Sequence, residues 1–276
     1  DPVFCSLLGG ADGESGSWAI EIEDLAETRQ RYEPNTAVLV TELWDRHGQG
    51  LQVVDFAPRF AARGRFFRPM QIVRRVRALK GPPRIRVRLA PRFHWGSQAP
   101  RITSGSNHVR YVGEDLTLRL YTDAPISHVL SSEPFLLVHE HNFLLGPDET
   151  VAGSVSDVAR HFEQETRAYW RTWSQRLALP LEWQEAVIRA AITLKLSLFE
   201  DTGAIVAAMT TSIPEAPNSQ RNWDYRYCWL RDAFFVVRAL NSLAEVGTME
   251  DYLRWLSDVV AGAARDGSGH VQPLLG

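Results

Sequence analysis

A twelve-residue run at positions 221–232, RNWDYRYCWLRD, mixes aromatic rings with charged groups. It contains four aromatic residues, three arginines and two aspartates. A core excludes such charges, and a solvated surface disfavours exposed tryptophan. A concave site for a sugar uses both kinds of residue, because Asp accepts hydrogen bonds from hydroxyl groups, Arg donates to them, and a ring lies against the C–H face. The run therefore predicts a carbohydrate-binding site.

A purely structural interpretation of the same run is also open. The apolar segment 233–237 follows directly, so the run could be the start of a helix. Its Asp would then complement the helix dipole, its Arg would pair with the Asp, and its tryptophans would be core residues.

The composition is that of a globular protein with one or two domains. The chain has 276 residues, of which 45% are hydrophobic and 23% charged, and nine are tryptophan, a number typical of carbohydrate proteins. A formal net charge of −3 and a pI near 6.3 argue against a protein that binds polyanions over its whole surface. We expect neither a nucleic-acid nor a membrane partner, since no apolar run is long enough to cross a bilayer.

Two cysteines, Cys5 and Cys228, lie far apart in the sequence. They form neither a disulfide framework nor a zinc-binding spacing, which favours a reducing compartment and a cytoplasmic location. No cofactor motif is present, so no cofactor and no metal are expected. The chain begins at Asp1 rather than Met, and we expect a processed or incomplete start.

Short strand-like segments fill residues 1–150, and turn signals separate them at roughly ten-residue spacing. This pattern predicts an N-terminal antiparallel β-sandwich domain. In the segment 84–89 the period of two places three apolar residues on one face and three arginines on the other. The predicted strands are 17–22, 36–44, 51–56, 71–79, 84–89, 108–112, 116–122 and 135–141.

An arginine-rich stretch lies within this predicted domain. Between Phe56 and Gly113 there are thirteen arginines and no Asp or Glu. We interpret the stretch as a basic face that contacts an acidic neighbour, either the rest of a catalytic barrel or a second copy in a homo-oligomer. Nucleic-acid binding is the less favoured alternative, because no recognised nucleic-acid motif accompanies the arginines.

The triplet His139-Glu140-His141 could place two imidazoles on one side of a strand. No third metal ligand stands at a usable spacing. Solvated histidines at a strand end are therefore the favoured interpretation.

The period changes to that of helices after residue 148. Apolar residues recur every three or four positions from Val155 to Leu177, and Ser154 with Asp157 resembles a capping box, which predicts a linker helix within 151–180. Further helices are predicted at about 182–199, 230–243 and 249–264. The region 181–276 is thus expected to be helical.

A sandwich, a linker helix and then helices introduced by the block at 222–233 together resemble glycoside hydrolase family 15, which includes glucoamylases, bacterial trehalases and glucodextranases. The sequence segments 73–76 and 91–96 are also similar to the N-terminal domain of that family. The resemblance implies that residues 181–276 are the first part of an (α/α)6 barrel. Matching the family's pattern residue by residue implies that Tyr225, Trp229, Arg231 and Asp232 bind the glucose at the non-reducing end.

The same resemblance implies inverting, exo-acting hydrolysis of α-glucosidic bonds that releases glucose. It implies no catalytic residue in this chain, because the family's acid and base glutamates would lie C-terminal to Gly276. We therefore expect a fragment that lacks the start of the sandwich and most of the barrel, and that is inactive alone. The alternative is a non-catalytic sugar-binding or assembly protein, if the 276 residues are the complete product. The sequence leaves the substrate open among trehalose, starch-derived glucan and dextran.

Overall fold

The computed structural model describes residues 3–6, 16–209, 215–265 and 274–275. The chain divides into two compact units, residues 1–170 and 171–276. The first unit is mostly β-structure. Its elements in chain order are β1 (Ser17–Ile22), β2 (Leu25–Tyr32), β3 (Leu39–Asp45), β4 (Gly50–Phe56), β5 (Phe60–Ala62), β6 (Arg65–Phe67), β7 (Ile72–Lys80), β8 (Arg84–Ala90), β9 (Arg101–Ser104), β10 (His108–Val112), β11 (Thr117–Thr122), α1 (Ile126–Ser131), β12 (Phe135–Leu136), β13 (His141–Pro147) and most of α2 (Val155–Ser174).

Two antiparallel sheets form the body of the first unit. The larger has eight strands in the order β2-β3-β4-β7-β13-β11-β10-β9, and the smaller has the order β1-β8-β12. Their facing side chains share one core, which contains Ile85 and Val87 of β8 and Val53, Val76 and Phe143 of the large sheet. The predicted antiparallel β-architecture is confirmed. The alternation predicted for β8 is also confirmed, because its apolar residues are buried and its arginines point outward.

Helix α2 covers the other face of the large sheet. Val155 and Ala159 are buried against a second cluster that includes Val40, Val54 and Leu144. The helix begins with the predicted capping box: the Asp157 amide donates to Ser154 Oγ at 3.1 Å, and Ser154 Oγ donates to the Asp157 carboxylate at 2.7 Å.

The region around residue 140 differs from its prediction. The prediction of a single strand at 135–141 is wrong, because β12 ends at Leu136 and a separate strand, β13, runs from His141 to Pro147. Residues 142–146 are all buried, since both faces of the large sheet are covered, so β13 offers no alternation to recognise. Strand β2 was not predicted, because all eight of its residues are exposed and largely polar.

Several arginines of the arginine-rich stretch form ion pairs with carboxylates of the first unit. Arg74 pairs with Asp55 at 2.6 Å, and Arg110 pairs with Asp148. Arg75 binds both Glu140 and Glu163. Glu140, Asp148 and Glu163 lie outside 56–113, so folding of the sheet and packing of α2 bring these acids to the arginines, and the predicted basic face is neutralised at Arg74, Arg75 and Arg110. Contact of this face with a partner stays a prediction.

The triplet at 139–141 is only partly solvated. His139 is exposed, but His141 lies with Nδ1 3.6 Å from the Asp123 carboxylate. Burial raises the pKa of Asp123, yet hydrogen bonds from His141 and Asn142 lower it more, so the net pKa is below its usual value. In the described part of the chain, no group of three or more His, Cys, Asp or Glu could hold a metal ion.

The second unit is mainly helical, as predicted. Its elements are the end of α2, then α3 (Gln184–Leu196), β14 (Leu198–Phe199), β15 (Ala204–Ile205), β16 (Cys228–Trp229), α4 (Leu230–Ser242), α5 (Gly247–Arg265) and β17 (Leu274–Leu275). The predicted helices are confirmed to within a few residues at their ends. An (α/α)6 barrel stays a prediction. No helix among the described residues combines the length and apolar character that a membrane span requires.

Candidate functional site

The run 221–232 lies beside the β14-β15 hairpin and leads into α4. The backbone amide of Ala208 donates to the carbonyl of Tyr225 at 2.8 Å, and that of Ala207 donates to the carbonyl of Tyr227 at 3.2 Å. Cys228 and Trp229 then form β16, which pairs with β17. Backbone hydrogen bonds from both sides therefore fix the middle of the run.

Three aromatic rings of the run form one cluster. Tyr225 and Trp229 have ring centroids 6.2 Å apart, and Trp223 meets Trp229 edge-on at 6.1 Å. The Trp229 indole N–H donates to the Asp224 carbonyl at 2.8 Å, which fixes the orientation of this ring. Tyr225 remains 39% exposed and Trp223 43% exposed, so their rings are open to a ligand. This exposure contradicts the interpretation in which the tryptophans of the run are all core residues.

Asp224 is held by its neighbour Arg226. The guanidinium donates through Nε at 3.0 Å and Nη2 at 2.7 Å, and the Arg226 backbone amide donates at 3.0 Å. The hydrogen bond to Asp224 raises the pKa of the Arg226 guanidinium above its ordinary value. An Asp so fully engaged is poorly suited to act as a general base.

Arg231 and Asp232 lie in the first turn of α4. Arg231 Nη2 donates to Asp232 Oδ2 at 3.3 Å, and three-quarters of the Arg231 side chain is exposed. Asp232 is the acidic residue of this first turn, next to the N-terminal end of the helix. A carboxylate and a guanidinium thus stand side by side in partly solvated positions, where hydroxyl groups of a ligand can reach both.

A small core supports the run from behind. Cys228 is buried with Ile205 of the hairpin, Ala233 of α4 and Tyr252 of α5. Burial raises the pKa of the Cys228 thiol, and the negative charge of Asp232 raises it further. The cysteine is therefore a neutral core residue, and both cysteines are free, as expected.

The position of the run could be predicted from the sequence, but the hairpin that supports it was not predicted. Asp201-Thr202-Gly203 between two short apolar segments is a turn signal that could have indicated this hairpin. The structure brings Tyr225 next to Trp229 and Arg231 next to Asp232. The segment 210–220, which is polar and contains Pro214 and Pro217 as loops do, lies partly outside the described residues.

The β-rich first unit and the region that contains the run 221–232 each match the model of a known family. The model of the family described as glycosyl hydrolases family 15 matches residues 183–269, and that of the trehalase-like N-terminal family matches residues 1–133. The second region of this chain is therefore similar to glycosyl hydrolase family 15, and the first is similar to the trehalase-like N-terminal family.

Several curated trehalases are similar to the chain. The trehalase of Thermoplasma acidophilum is 29% identical over 274 residues, which cover 94% of this chain and 45% of that protein. The trehalase of Thermoplasma volcanium is 29% identical over 273 residues, or 94% of this chain and 42% of that protein. A trehalase of Mycobacterium tuberculosis is 37% identical over 113 residues, or 41% of this chain and 16% of that protein. The chain thus spans less than half the length of the curated relatives it matches.

Proposed function

We propose that the protein to which this chain belongs is a trehalase-like glycoside hydrolase that cleaves α-glucosidic bonds with inversion and releases glucose from the non-reducing end. The observation that carries the proposal is the paired arrangement in 225–232. The ring pair Tyr225–Trp229 and the ion pair Arg231–Asp232 stand within eight residues of chain, in a region that matches the model of glycosyl hydrolases family 15.

Each of the four residues has a proposed role in holding the terminal glucose. Tyr225 and Trp229 form the apolar wall against which the C–H face of the ring lies. Asp232 accepts hydrogen bonds from hydroxyl groups far from the scissile bond, and Arg231 donates to their oxygen atoms. These residues bind and orient the sugar, and none of them breaks the bond.

The bond-breaking step requires two further carboxyl groups. An inverting enzyme uses one carboxylic acid to protonate the leaving oxygen and one carboxylate to activate water on the opposite face, with the two about 6.5–9.5 Å apart. By resemblance to the family we expect both glutamates beyond Gly276, and no role is proposed for Glu182, Glu185 or Glu200 as acid or base. We expect the 276-residue chain alone to release no glucose.

The proposed substrate is trehalose, because the curated relatives are named trehalases. The test is glucose release from trehalose, maltodextrin and dextran by the protein that the complete gene encodes, with the 276-residue chain assayed in parallel. The proposal expects rapid hydrolysis of trehalose and inversion of the anomeric configuration in the product. Activity confined to maltodextrin or dextran would contradict the substrate, and glucose release by the chain alone would contradict the assignment of the acid and base.

A further inference from the structure

Lys195 of helix α3 is an unusual residue in this protein. The chain has thirty basic residues, of which only Lys80 and Lys195 are lysines. Lys80 is exposed at the end of β7, whereas Lys195 is 7% exposed. Burial of an ammonium group costs several kcal/mol unless the charge is paired and hydrogen-bonded. Lys195 therefore depends on the groups that surround it.

The ammonium group of Lys195 joins three separate segments of the second unit. Its Nζ donates at 3.1 Å to Oε1 of Glu245, in the loop between α4 and α5, and at 3.1 Å to Oγ1 of Thr248, in the first turn of α5. The carboxylate of Glu200, in the turn of the β14-β15 hairpin, lies 3.7 Å away. One cation thus links the hairpin turn to the start of α5.

The hairpin turn is also pressed directly onto α5. Gly203 has a φ of +95°, and a Cβ atom added there would lie 2.3 Å from the carbonyl oxygen of Asp251. Only glycine permits such a close approach of two backbones. The position of the turn relative to α5 is therefore set in two ways, directly by the Gly203 backbone and indirectly by the Glu200 carboxylate through Lys195.

The hairpin in turn sets the position of the aromatic run. Ile205 is almost fully buried against Cys228, and Ala207 and Ala208, which follow shortly after it, donate backbone hydrogen bonds to the carbonyls of Tyr227 and Tyr225. A shift of the hairpin would move the Tyr225 backbone and the ring pair that Tyr225 forms with Trp229.

We propose that Lys195 is a positioning residue that, by tying the hairpin turn to α5, fixes the Tyr225 and Trp229 rings in the geometry that binds the sugar. This inference rests on the proposed function of the run and adds to it a residue outside the run. Lys195 touches no ligand. It acts through Glu200 and the hairpin.

The test compares three variants of the complete protein on trehalose. Lys195→Met removes the cation, and Glu200→Gln weakens the link to the hairpin while the Lys195–Glu245 pair stays intact. Lys80→Met is the matched control, because it removes the other lysine from an exposed position. For each variant KM, kcat and the melting temperature are measured, since a displaced sugar site raises KM, whereas a smaller folded fraction lowers only the apparent kcat.

We expect Lys195→Met to raise KM at least about fivefold and Glu200→Gln to raise it about two- to threefold. Lys80→Met should change neither constant. A wild-type KM in Glu200→Gln would overturn the inference, even if Lys195→Met fails to fold. If the wild-type protein hydrolyses no glucoside, the proposed function fails separately. The near-UV circular dichroism of the aromatic residues then decides the positioning role, and an unchanged spectrum in Glu200→Gln overturns it.

Discussion

Pairs of arginine and carboxylate occur in both units of this molecule, but in different surroundings. In the first unit Arg75 pairs with Glu140 and Glu163, which lie 65 and 88 positions away in sequence. In the second unit the pairs of the run are local, as in Arg226 with Asp224 and Arg231 with Asp232. The side chain of Glu163 is 4% exposed, whereas that of Asp232 is 36% exposed.

The difference separates a structural use of these residues from a binding use. A buried pair between residues distant in sequence is a product of folding, and breaking it leaves an uncompensated buried charge. A partly solvated pair between neighbours in sequence contributes little to stability, so a ligand can replace the interaction at little cost. Composition alone does not distinguish the two uses, but the sequence distance between the partners and their burial do.

The largest effect is expected from Asp232→Ala in the complete protein. Turnover of trehalose should fall about 100- to 1,000-fold, because the carboxylate holds the bound sugar, while the melting temperature changes by only a few degrees. Steady-state kinetics and a thermal melt measure both quantities, with Asp258→Ala on the exposed side of α5 as the control. Loss of folding without a specific kinetic defect would support the structural interpretation, in which Asp232 only stabilises the start of the helix.

A smaller effect, on stability and not on turnover, is expected from Arg75→Met. The free energy of unfolding should fall by about 2–3 kcal/mol, because Glu140 and the buried Glu163 lose a cation, although Arg167 still pairs with Glu163 at 2.5 Å. KM for trehalose should stay unchanged. Chemical denaturation measures the loss, and Arg29→Met, which breaks an exposed pair with Glu27, should give none. Equal stability of the two variants would remove the distinction drawn between buried and exposed pairs.

The smallest effect concerns the acid sensitivity of the second unit. Burial raises the pKa of Glu245, but hydrogen bonds from Thr248 and the charge of Lys195 lower it more, so its pKa in the folded protein is below the ordinary value of 4.5. The unfolded chain therefore takes up the proton first, and the stability that Glu245 contributes above pH 4.5 is lost as the pH falls through the folded pKa.

Glu245→Gln should accordingly flatten the fall of the melting temperature between about pH 6 and pH 3. Thermal melts across that range provide the measurement, and Glu250→Gln, at an exposed position in the first turn of α5, is the control. An acid slope identical to that of the wild-type protein would show that Glu245 makes no net contribution to the pH dependence of stability.

Local patterns in the sequence were sufficient for much of the fold. Strands 17–22 and 108–112 coincide with β1 and β10, and the capping box at Ser154 was readable because its partners lie three residues apart. The run 221–232 was recognised for the same reason, since its chemistry is contained in twelve neighbouring residues.

Features that depend on distant partners were not predictable from local patterns. Strand β13 has no alternation, because α2 covers the face that would otherwise be polar. The bond from Lys195 to Glu245 spans fifty positions, and the burial that gives it significance exists only in the folded unit. The residues of the candidate site could therefore be predicted from the sequence, whereas the elements that support the site could not.

The position of helix α2 in the chain determines when one apolar face of the large sheet is covered during synthesis. The valines at 38, 40 and 54 leave the ribosome about a hundred residues before Val155 and Ala159, which cover them in the finished structure. Until then the nascent sheet carries a bare apolar face, the kind of surface that chaperones bind and that promotes aggregation. The first unit completes its folding only when the helix that follows its last strand has been synthesised.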